Sequence, residues 1–338
     1  MPVGILAVGD SYLPVAAMQP QLDALGQGGR VRYRTVDPDA RPPLEGLQEY
    51  QGDPASLAGW LRGETVLVVH AAPVTRQVLE AHPEVRLVVC LRGGAVNIDL
   101  SAARELGVRV VNTPGKNAES VADLTLLLVQ LMLRGIVPAT RWLTEQARTG
   151  VRHLDSTFVG GQWVSREPRG MTLGLVGLGA VGRLVAVQAR SYGMDVVASD
   201  PFATGVSDLA EPVALEDLTR RSDVVSIHAT ATAATYHLVD RTFISSMRSG
   251  ALLVNTARGS LVDEAALLEG LRSGHLAGAA LDVCEPDGHW PELSQMPQVI
   301  LTPHLGGATV QTQQRGLSMA VADIRRFVAG EPLVHRLV

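Results

Sequence analysis

The stretch TLGLVGLGAVGRL, residues 172–184, decides the fold of this chain. A strand-like run, TLGLV, leads into the glycine turn GLGAVG, residues 177–182, and a helix-like run follows it. In this order, the backbone N–H groups of the turn and of the helix N-terminus point at a bound phosphate. Gly177 then allows the tight turn, Gly179 the close approach of the phosphate, and Gly182 the close contact between helix and strand. The pattern predicts a dinucleotide-binding βα unit.

The acid expected after such a turn is Asp200, at the end of the strand-like run DVVAS and about 20 residues past the glycines. Its carboxylate can accept hydrogen bonds from the ribose hydroxyls of NAD and would repel the additional phosphate of NADP. An ordinary turn acid before Pro201 is the alternative. Because the glycine turn and the acid occur together, we predict NAD as the cofactor.

Short apolar runs alternate with helix-like stretches, first over residues 3–112 and again from residue 172 onward. This rhythm predicts parallel sheets covered by helices. We expect an α/β protein with two Rossmann-like domains, one flavodoxin-like and one dinucleotide-binding. The second domain should span residues 113–304. The tail carries one amphipathic helix and too little else to fold alone, so the first domain should be discontinuous, residues 1–112 with 305–338.

Composition excludes several classes of partner. The chain has 338 residues, a net charge of -5 and no dense Lys/Arg run, which argues against nucleic acid, whose binding depends on clustered cations. Cys90 and Cys284 lie beside apolar runs and are expected to be buried reduced thiols. The N-terminal sequence lacks a basic leader, and the most apolar run, residues 124–133, is too short to span a bilayer. We expect a cytoplasmic protein with no membrane partner and no metal site.

Three further motifs follow later strand candidates, at the edge where open α/β sheets bind ligands. NTARGSLVDEAAL contains Arg258, AGAALDVCEPD contains three acids, and LTPHLGG contains His304. Together with the glycine turn, these motifs resemble the D-isomer-specific 2-hydroxyacid dehydrogenase family. The resemblance spans essentially the whole chain and is most specific from Thr172 to Gly307. It implies that the first domain binds the substrate, that the second binds NAD, and that the active site lies in the cleft between them.

The resemblance implies catalytic roles for Arg258 and His304 that also make chemical sense. A guanidinium can hold the carboxylate of a 2-keto acid and polarise the neighbouring carbonyl. His304 would give a proton to the carbonyl oxygen during reduction and, as a neutral imidazole, take one during oxidation. A surface Arg258 and a structural His304 are the alternatives.

In the family, a Glu hydrogen-bonds the catalytic histidine and lies five residues after the Asp that ends the strand. That strand residue is Asp282 here, so the matching position is Asp287. Asp287 is one methylene shorter than Glu, and its contact with His304 is expected to be longer or water-mediated. Glu285 occupies the position of an additional acid and is expected to be solvated. Asp282 should cap the strand near the nicotinamide.

The resemblance also implies which residues surround the ligands. The cofactor-binding residues are expected to be Gly177, Gly179, Ala180, Val181, Gly182, Asp200, His228, Ala229, Thr230, Thr256, Ala257, Arg258, Asp282, His304 and Gly306. The substrate-binding residues are expected to be Arg92, Gly93, Gly94, Arg258 and His304. Gly93 and Gly94 can present backbone amides, whereas Arg92 either reaches a second anionic group on the substrate or faces solvent.

The sequence therefore predicts an NAD-dependent oxidoreductase that interconverts a D-2-hydroxy acid and its 2-keto acid. Two alternatives stay open: an NAD(H)-binding regulatory protein that senses redox state, and a dehydrogenase of a non-carbon oxyanion such as phosphite. Relatives usually dimerise through the NAD-binding domain. A homodimer is therefore expected, with the apolar helix over residues 118–134 as its candidate interface.

Overall fold

The computed structural model describes residues 3–25, 30–205 and 207–338. The chain forms two compact units, residues 1–116 with 308–338 and residues 117–307. Each unit is built on one sheet whose strands are all parallel, so the predicted α/β class with two parallel sheets is confirmed.

The first unit has a five-stranded sheet in the order β2-β1-β3-β4-β5, the flavodoxin-like order. Its strands are β1 (Ile5–Gly9), β2 (Val31–Thr35), β3 (Val66–Val69), β4 (Leu87–Cys90) and β5 (Arg109–Val111). Its helices are α1 (Val15–Asp23), α2 (Pro54–Trp60), α3 (Arg76–Ala81), α4 (Leu100–Glu105) and α13 (Val310–Ala329). Alternate strand residues face two cores: Leu6 and Val8 lie in one, Ile5 and Ala7 in the other. Burial on both faces explains the continuous apolar runs.

The end of the chain returns to the sheet of this first unit. The N–H of Leu337 donates to the carbonyl of Val110 at 2.8 Å, beside the edge strand β5. Asp323, buried on α13, fixes the same segment: it accepts the N–H of Val334 at 2.7 Å and contacts His335 Nδ1 at 2.7 Å. The C-terminal segment thereby covers an edge that would otherwise expose unpaired backbone groups.

The second unit has a seven-stranded sheet in the order β12-β11-β10-β9-β6-β7-β8. Its strands are β6 (Thr172–Val176), β7 (Asp195–Ser199), β8 (Glu211–Pro212), β9 (Val224–Ile227), β10 (Ala251–Asn255), β11 (Leu276–Leu281) and β12 (Val299–Leu301). Counted from β6, six of them follow the dinucleotide-binding order 3-2-1-4-5-6, and β12 extends the sheet. The two-residue β8, which contains a proline, carries no strand pattern in the sequence.

The helices of the second unit cover both faces of its sheet. They are α5 (Ala118–Leu133), α6 (Ile136–Arg148), α7 (Ser156–Val159), α8 (Ala180–Ser191), α9 (Leu215–Arg221), α10 (Arg241–Ser246), α11 (Glu264–Arg272) and α12 (Trp290–Gln295). Among the described helices, none is long and apolar enough to cross a bilayer alone. By length and composition α5 and α6 pass that test only as a pair, which is bent by 61°.

We expect Asp323→Ala to lower the free energy of unfolding of the first unit by about 2 kcal/mol, because a backbone N–H and an imidazole lose their buried acceptor. Urea denaturation would measure the loss. Asp39→Ala, which removes an exposed carboxylate, is the matched control. Equal free energies of unfolding in the two variants would show that the contacts of Asp323 contribute nothing to stability.

Candidate active site

The glycine turn joins β6 to α8, and each glycine has a distinct surrounding. Gly177 has a φ of 98°, and a Cβ there would lie 2.7 Å from the carbonyl carbon of His228. A Cβ on Gly182 would collide with the carbonyl oxygen of Gly177. Gly179 differs, since apart from its chain neighbours no heavy atom in the described part of the chain lies within 4 Å of its Cβ position. The turn therefore leaves open space at the N-terminus of α8 beside Ala180 and Val181, and these residues fit an anionic pyrophosphate.

Asp200 ties the end of β7 to this turn. One carboxylate oxygen accepts the N–H of Leu178 at 2.7 Å, and the other accepts the N–H of Phe202 at 2.8 Å. The carboxylate is half-buried and lies directly beside the phosphate turn. Its contact with a ribose stays a prediction.

His228, Ala229 and Thr230 follow β9 and form the wall that limits Gly177. The imidazole Nε2 of His228 lies 2.9 Å from the Ser226 hydroxyl, and burial lowers the pKa of His228 to about 4. The ring is therefore neutral at neutral pH. Ala229 is half-buried against the core, and the carbonyl of Thr230 accepts the Thr235 hydroxyl at 2.7 Å.

Arg258 lies in the turn after β10, and the buried side chain of Asn255 shapes that turn. Asn255 donates to the carbonyl of Arg258 at 2.8 Å and accepts the N–H of Ala257 at 3.0 Å. Arg258 also donates to the carbonyl of Ala257 at 2.8 Å. Thr256 is buried, with its hydroxyl 2.9 Å from that of Thr125. Asn255 ends an apolar strand in the sequence, where nothing singles it out, although the partners of its side chain lie only two and three residues later.

Asp282 organises the turn that carries His304. Its carboxylate, buried at the end of β11, accepts the Thr302 hydroxyl at 2.6 Å and the N–H groups of Leu305 and Gly306 at 2.7 and 2.8 Å. Its carbonyl accepts the N–H of His304 at 2.9 Å. These bonds hold His304 in the left-handed region, with φ 58°, and its side chain is exposed. Asp282 does more than cap its strand, because it positions the histidine.

The two acids after Asp282 have different surroundings. Glu285 is half-buried rather than fully solvated, and its carboxylate lies 3.6 Å from Nε2 of His237. Asp287 is exposed. Within the described ranges, no carboxylate oxygen of either acid lies within 4.0 Å of a ring nitrogen of His304. Coupling between Asp287 and His304 stays a prediction.

Glu264, which the sequence analysis did not single out, holds the loop that contains these acids. Its buried carboxylate accepts the N–H of Glu285 at 2.9 Å and the N–H of His289 at 2.5 Å. A Cβ on Gly288 would collide with the same carboxylate. Asp287 therefore lies in a loop anchored on both sides. In the sequence, Glu264 directly follows the N-cap Asp263 and is typical of a solvated first-turn acid.

In the first unit, Arg92, Gly93 and Gly94 follow β4. Arg92 donates to the carbonyl of Glu49 at 2.6 Å and pairs with its carboxylate. Of the two alternatives for Arg92, its contacts with Glu49 exclude a side chain that merely faces solvent, and contact with a substrate anion stays a prediction. Both glycines are exposed, and apart from its chain neighbours no heavy atom of the described residues lies within 4 Å of the Cβ position of Gly93.

Comparison with known proteins agrees with this arrangement. A family model described as the D-isomer specific 2-hydroxyacid dehydrogenase, NAD binding domain, matches residues 128–306. D-3-phosphoglycerate dehydrogenase of Mycobacterium leprae (strain TN) is 35% identical over 311 residues, which cover 90% of this chain and 54% of that protein. The chain thus spans about half the length of that relative.

Two further proteins are similar to this chain over most of their own length. Hydroxypyruvate reductase of Thermotoga maritima is 36% identical over 260 residues, which cover 74% of this chain and 80% of that protein. The solved structure of D-2-hydroxyisocaproate dehydrogenase has a TM-score of 0.82 over 99% of both chains at 24% identity, which shows a shared fold. NAD is the cofactor of the matched domain, as the glycine turn and Asp200 predicted. From the matched domain, the shared identity and the fold, this chain belongs to the D-isomer specific 2-hydroxyacid dehydrogenase family.

Proposed function

We propose that this protein interconverts a D-2-hydroxy acid and its 2-keto acid with NAD(H), using Arg258 to bind the carboxylate and His304 as acid and base. The observation that carries the proposal is the turn held by Asp282. It fixes His304 just past β12, at the same edge of the sheet as the glycine turn and Arg258. In open α/β sheets, ligands bind outside the carboxyl ends of the strands.

Each side chain has a defined task in this proposal. The guanidinium of Arg258 grips the substrate carboxylate by two hydrogen bonds and polarises the adjacent carbonyl. His304 donates a proton to the carbonyl oxygen in reduction and accepts the hydroxyl proton in oxidation. NAD(H), when bound, supplies or accepts the hydride. Asp200 excludes the additional phosphate of NADP from the ribose site.

The two relatives are named for different substrates, D-3-phosphoglycerate and hydroxypyruvate. Both are three-carbon acids oxidised or reduced at C2, so the assay needs a panel of 2-keto acids with NADH, followed by nicotinamide absorbance. Turnover of a member supports the proposal. Tight NADH binding with no turnover of any member would instead support the regulatory alternative. A cytoplasmic location stays a prediction.

We expect Arg258→Ala to lower kcat/KM for every keto acid by about 10²–10³-fold, because the carbonyl loses its charged hydrogen-bond donor. NADH should still bind, as measured by fluorescence titration, because Arg258 is expected to act mainly on the substrate. Arg258→Lys should recover little, since a point charge cannot reproduce a planar two-point grip. Arg248→Ala is the control, since it removes an exposed arginine of the same unit that pairs with Asp223. Near-normal kcat/KM in Arg258→Ala would exclude this role.

We further propose that Glu264 is a positioning residue, which holds Asp287 where its negative charge favours the protonated form of His304. Keto-acid reduction needs that form, so kcat/KM should fall as the pH rises. Asp287→Asn removes the charge and Glu264→Gln loosens its loop. Both variants should move the fall in kcat/KM to lower pH and should lower kcat/KM about tenfold near neutral pH. Glu285→Gln should move the profile little, because Glu285 contacts His237 instead.

Glu269→Gln is the matched control, since Glu269 lies exposed on the same helix, α11, and pairs with Arg241. A purely structural Glu264 would lower the melting temperature and reduce activity equally at every pH. That result would contradict the positioning role. A large shift in Glu285→Gln with none in Asp287→Asn would instead identify Glu285 as the acid coupled to His304.

We also propose a homodimer, but through a different surface from the one the sequence indicated. Most apolar side chains of α5 lie in the core of their own unit, against α8 and the sheet. The next helix, α6, has no buried residue, and beyond it Phe158 and Val164 are 80% and 90% exposed. Trp142 packs edge-on against Trp163 at 5.1 Å and joins these segments. Exposed apolar patches of this kind mark protein interfaces.

The double variant Phe158→Asp/Val164→Asp should be monomeric at micromolar concentration, because two carboxylates cannot be buried unpaired in an apolar interface. Light scattering after size-exclusion chromatography would measure its mass beside that of the wild type. Phe202→Asp, 91% exposed elsewhere on the same unit, is the control and should leave the mass unchanged. A monomeric wild-type protein would exclude the homodimer.

A further inference from the structure

The first unit carries a buried carboxylate-imidazole pair that no role described above uses. Asp10 directly follows β1 and His70 directly follows β3, so both lie at the carboxyl edge of the sheet. One oxygen of Asp10 accepts the N–H groups of Tyr12 and Leu13 at 2.9 and 2.8 Å. The other accepts the N–H of Ala71 at 2.8 Å and lies 2.9 Å from Nδ1 of His70. Every lone pair of this carboxylate is thereby engaged.

These contacts fix the tautomer of His70. Burial would raise the pKa of Asp10, but its bonds to His70 and to the backbone hold that pKa below its usual range. For an imidazole, burial has the opposite effect: it lowers the pKa of His70, so the ring is neutral at neutral pH. A carboxylate can only accept, so Nδ1 carries the proton and Nε2 carries a lone pair. Within the described ranges, no protein group donates to that Nε2.

The ring is also held in place beside the glycine loop. Tyr12 stacks on His70 with the ring centroids 5.1 Å apart and the planes 9° from parallel. The side-chain amide of the buried Asn97 donates to the carbonyls of His70 and Ala72 at 3.3 and 2.8 Å. Asn97 belongs to the loop that begins at Gly93, after the strand next to β3. An oriented acceptor therefore lies at the same edge of the sheet as the loop predicted to bind the substrate carboxylate, and Asn97 of that loop holds the backbone of His70.

The charges around His70 cancel. Arg92 is paired with Glu49. Lys116 is buried and donates to the carbonyl of Leu91, and burial lowers its pKa to about 8, so its charge offsets that of Asp10 near neutral pH. Without a net positive charge, the surroundings favour a neutral hydrogen-bond donor over an anion such as a phosphate. The Nε2 atom keeps access to solvent, so a ligand hydroxyl can replace water as its hydrogen-bond donor.

We propose that Nε2 of His70 accepts a hydrogen bond from a hydroxyl group on the substrate carbon chain, which makes this pair a specificity site for 2-keto acids hydroxylated beyond C2. This inference rests on the proposed dehydrogenase function. His70 selects the substrate and takes no part in proton transfer at C2.

The test compares hydroxypyruvate with pyruvate, which differ by one hydroxyl group, under NADH turnover. Wild-type kcat/KM should favour hydroxypyruvate by about tenfold or more. 3-Phosphohydroxypyruvate should be the poorer of the two C3-substituted acids, because its ester oxygen has no proton to donate. Faster turnover of the phosphorylated acid would overturn the hydroxyl site in favour of an anion site. Equal turnover of hydroxypyruvate and pyruvate would overturn it outright, whereas turnover of no keto acid would reject the proposed function itself.

Two variants separate selectivity from folding. The amide nitrogen of Asn can replace Nδ1 as the donor to Asp10 but has nothing at the place of Nε2. His70→Asn should therefore bring the hydroxypyruvate preference close to one while pyruvate turnover is kept. The amide oxygen of Gln can reach the place of Nε2, so His70→Gln should keep most of the preference. Equal losses on both acids in His70→Asn, or no loss on either, would overturn the proposal. If His70→Asn fails to fold, the wild-type ratio of kcat/KM for hydroxypyruvate to kcat/KM for pyruvate decides the question.

Discussion

The candidate active site depends on the carboxylate of Asp282 and the four hydrogen bonds that its residue accepts. Three of them reach the carboxylate, from Thr302, Leu305 and Gly306, and the fourth joins its carbonyl to the N–H of His304. A buried charge is stable only when hydrogen bonds compensate its lost hydration. Removing any of these donors leaves part of that cost uncompensated, so the turn has one favoured conformation. The left-handed backbone of His304 follows from that constraint.

Two other buried carboxylates, those of Asp10 and Glu264, also fix loops by accepting backbone N–H groups. Asp10 accepts two backbone N–H groups from the turn after β1 and one from Ala71 after β3, and Glu264 accepts two from the loop after β11. In each case the acid is buried and its backbone bonds fix the loop. Backbone donors cannot be lost by side-chain substitution elsewhere, so these loops tolerate variable side chains while keeping their path. That separation lets neighbouring residues differ in chemistry without loss of position.

The features that could be predicted from the sequence are those with a local or periodic signal. The glycine turn, Asp200, the strand runs and the place of Arg258 and His304 each have a signal within a few residues, and the fold followed from them. Glu264 and His70 have no such signal, because their partners are defined only when distant segments meet. Glu264 contacts a loop some twenty residues later in the chain, and Asp10 contacts residues sixty positions away. The apolar run of α5 is ambiguous for a related reason, since uniform apolarity does not say whether its partner is the same unit or another copy.

The discontinuous first unit has a consequence for how the chain folds as it is made. Residues 117–307 form one uninterrupted stretch, so this unit has all its strands and helices before residues 308–338 have been synthesised. The first unit does not, because α13 and the segment that covers β5 are made after the second unit. Until then the nascent sheet lacks the helix that buries Leu317, Ala320 and Ile324 against one of its faces. On the ribosome, the whole of residues 117–307 is therefore available for folding before the first unit has α13 and the segment beside β5.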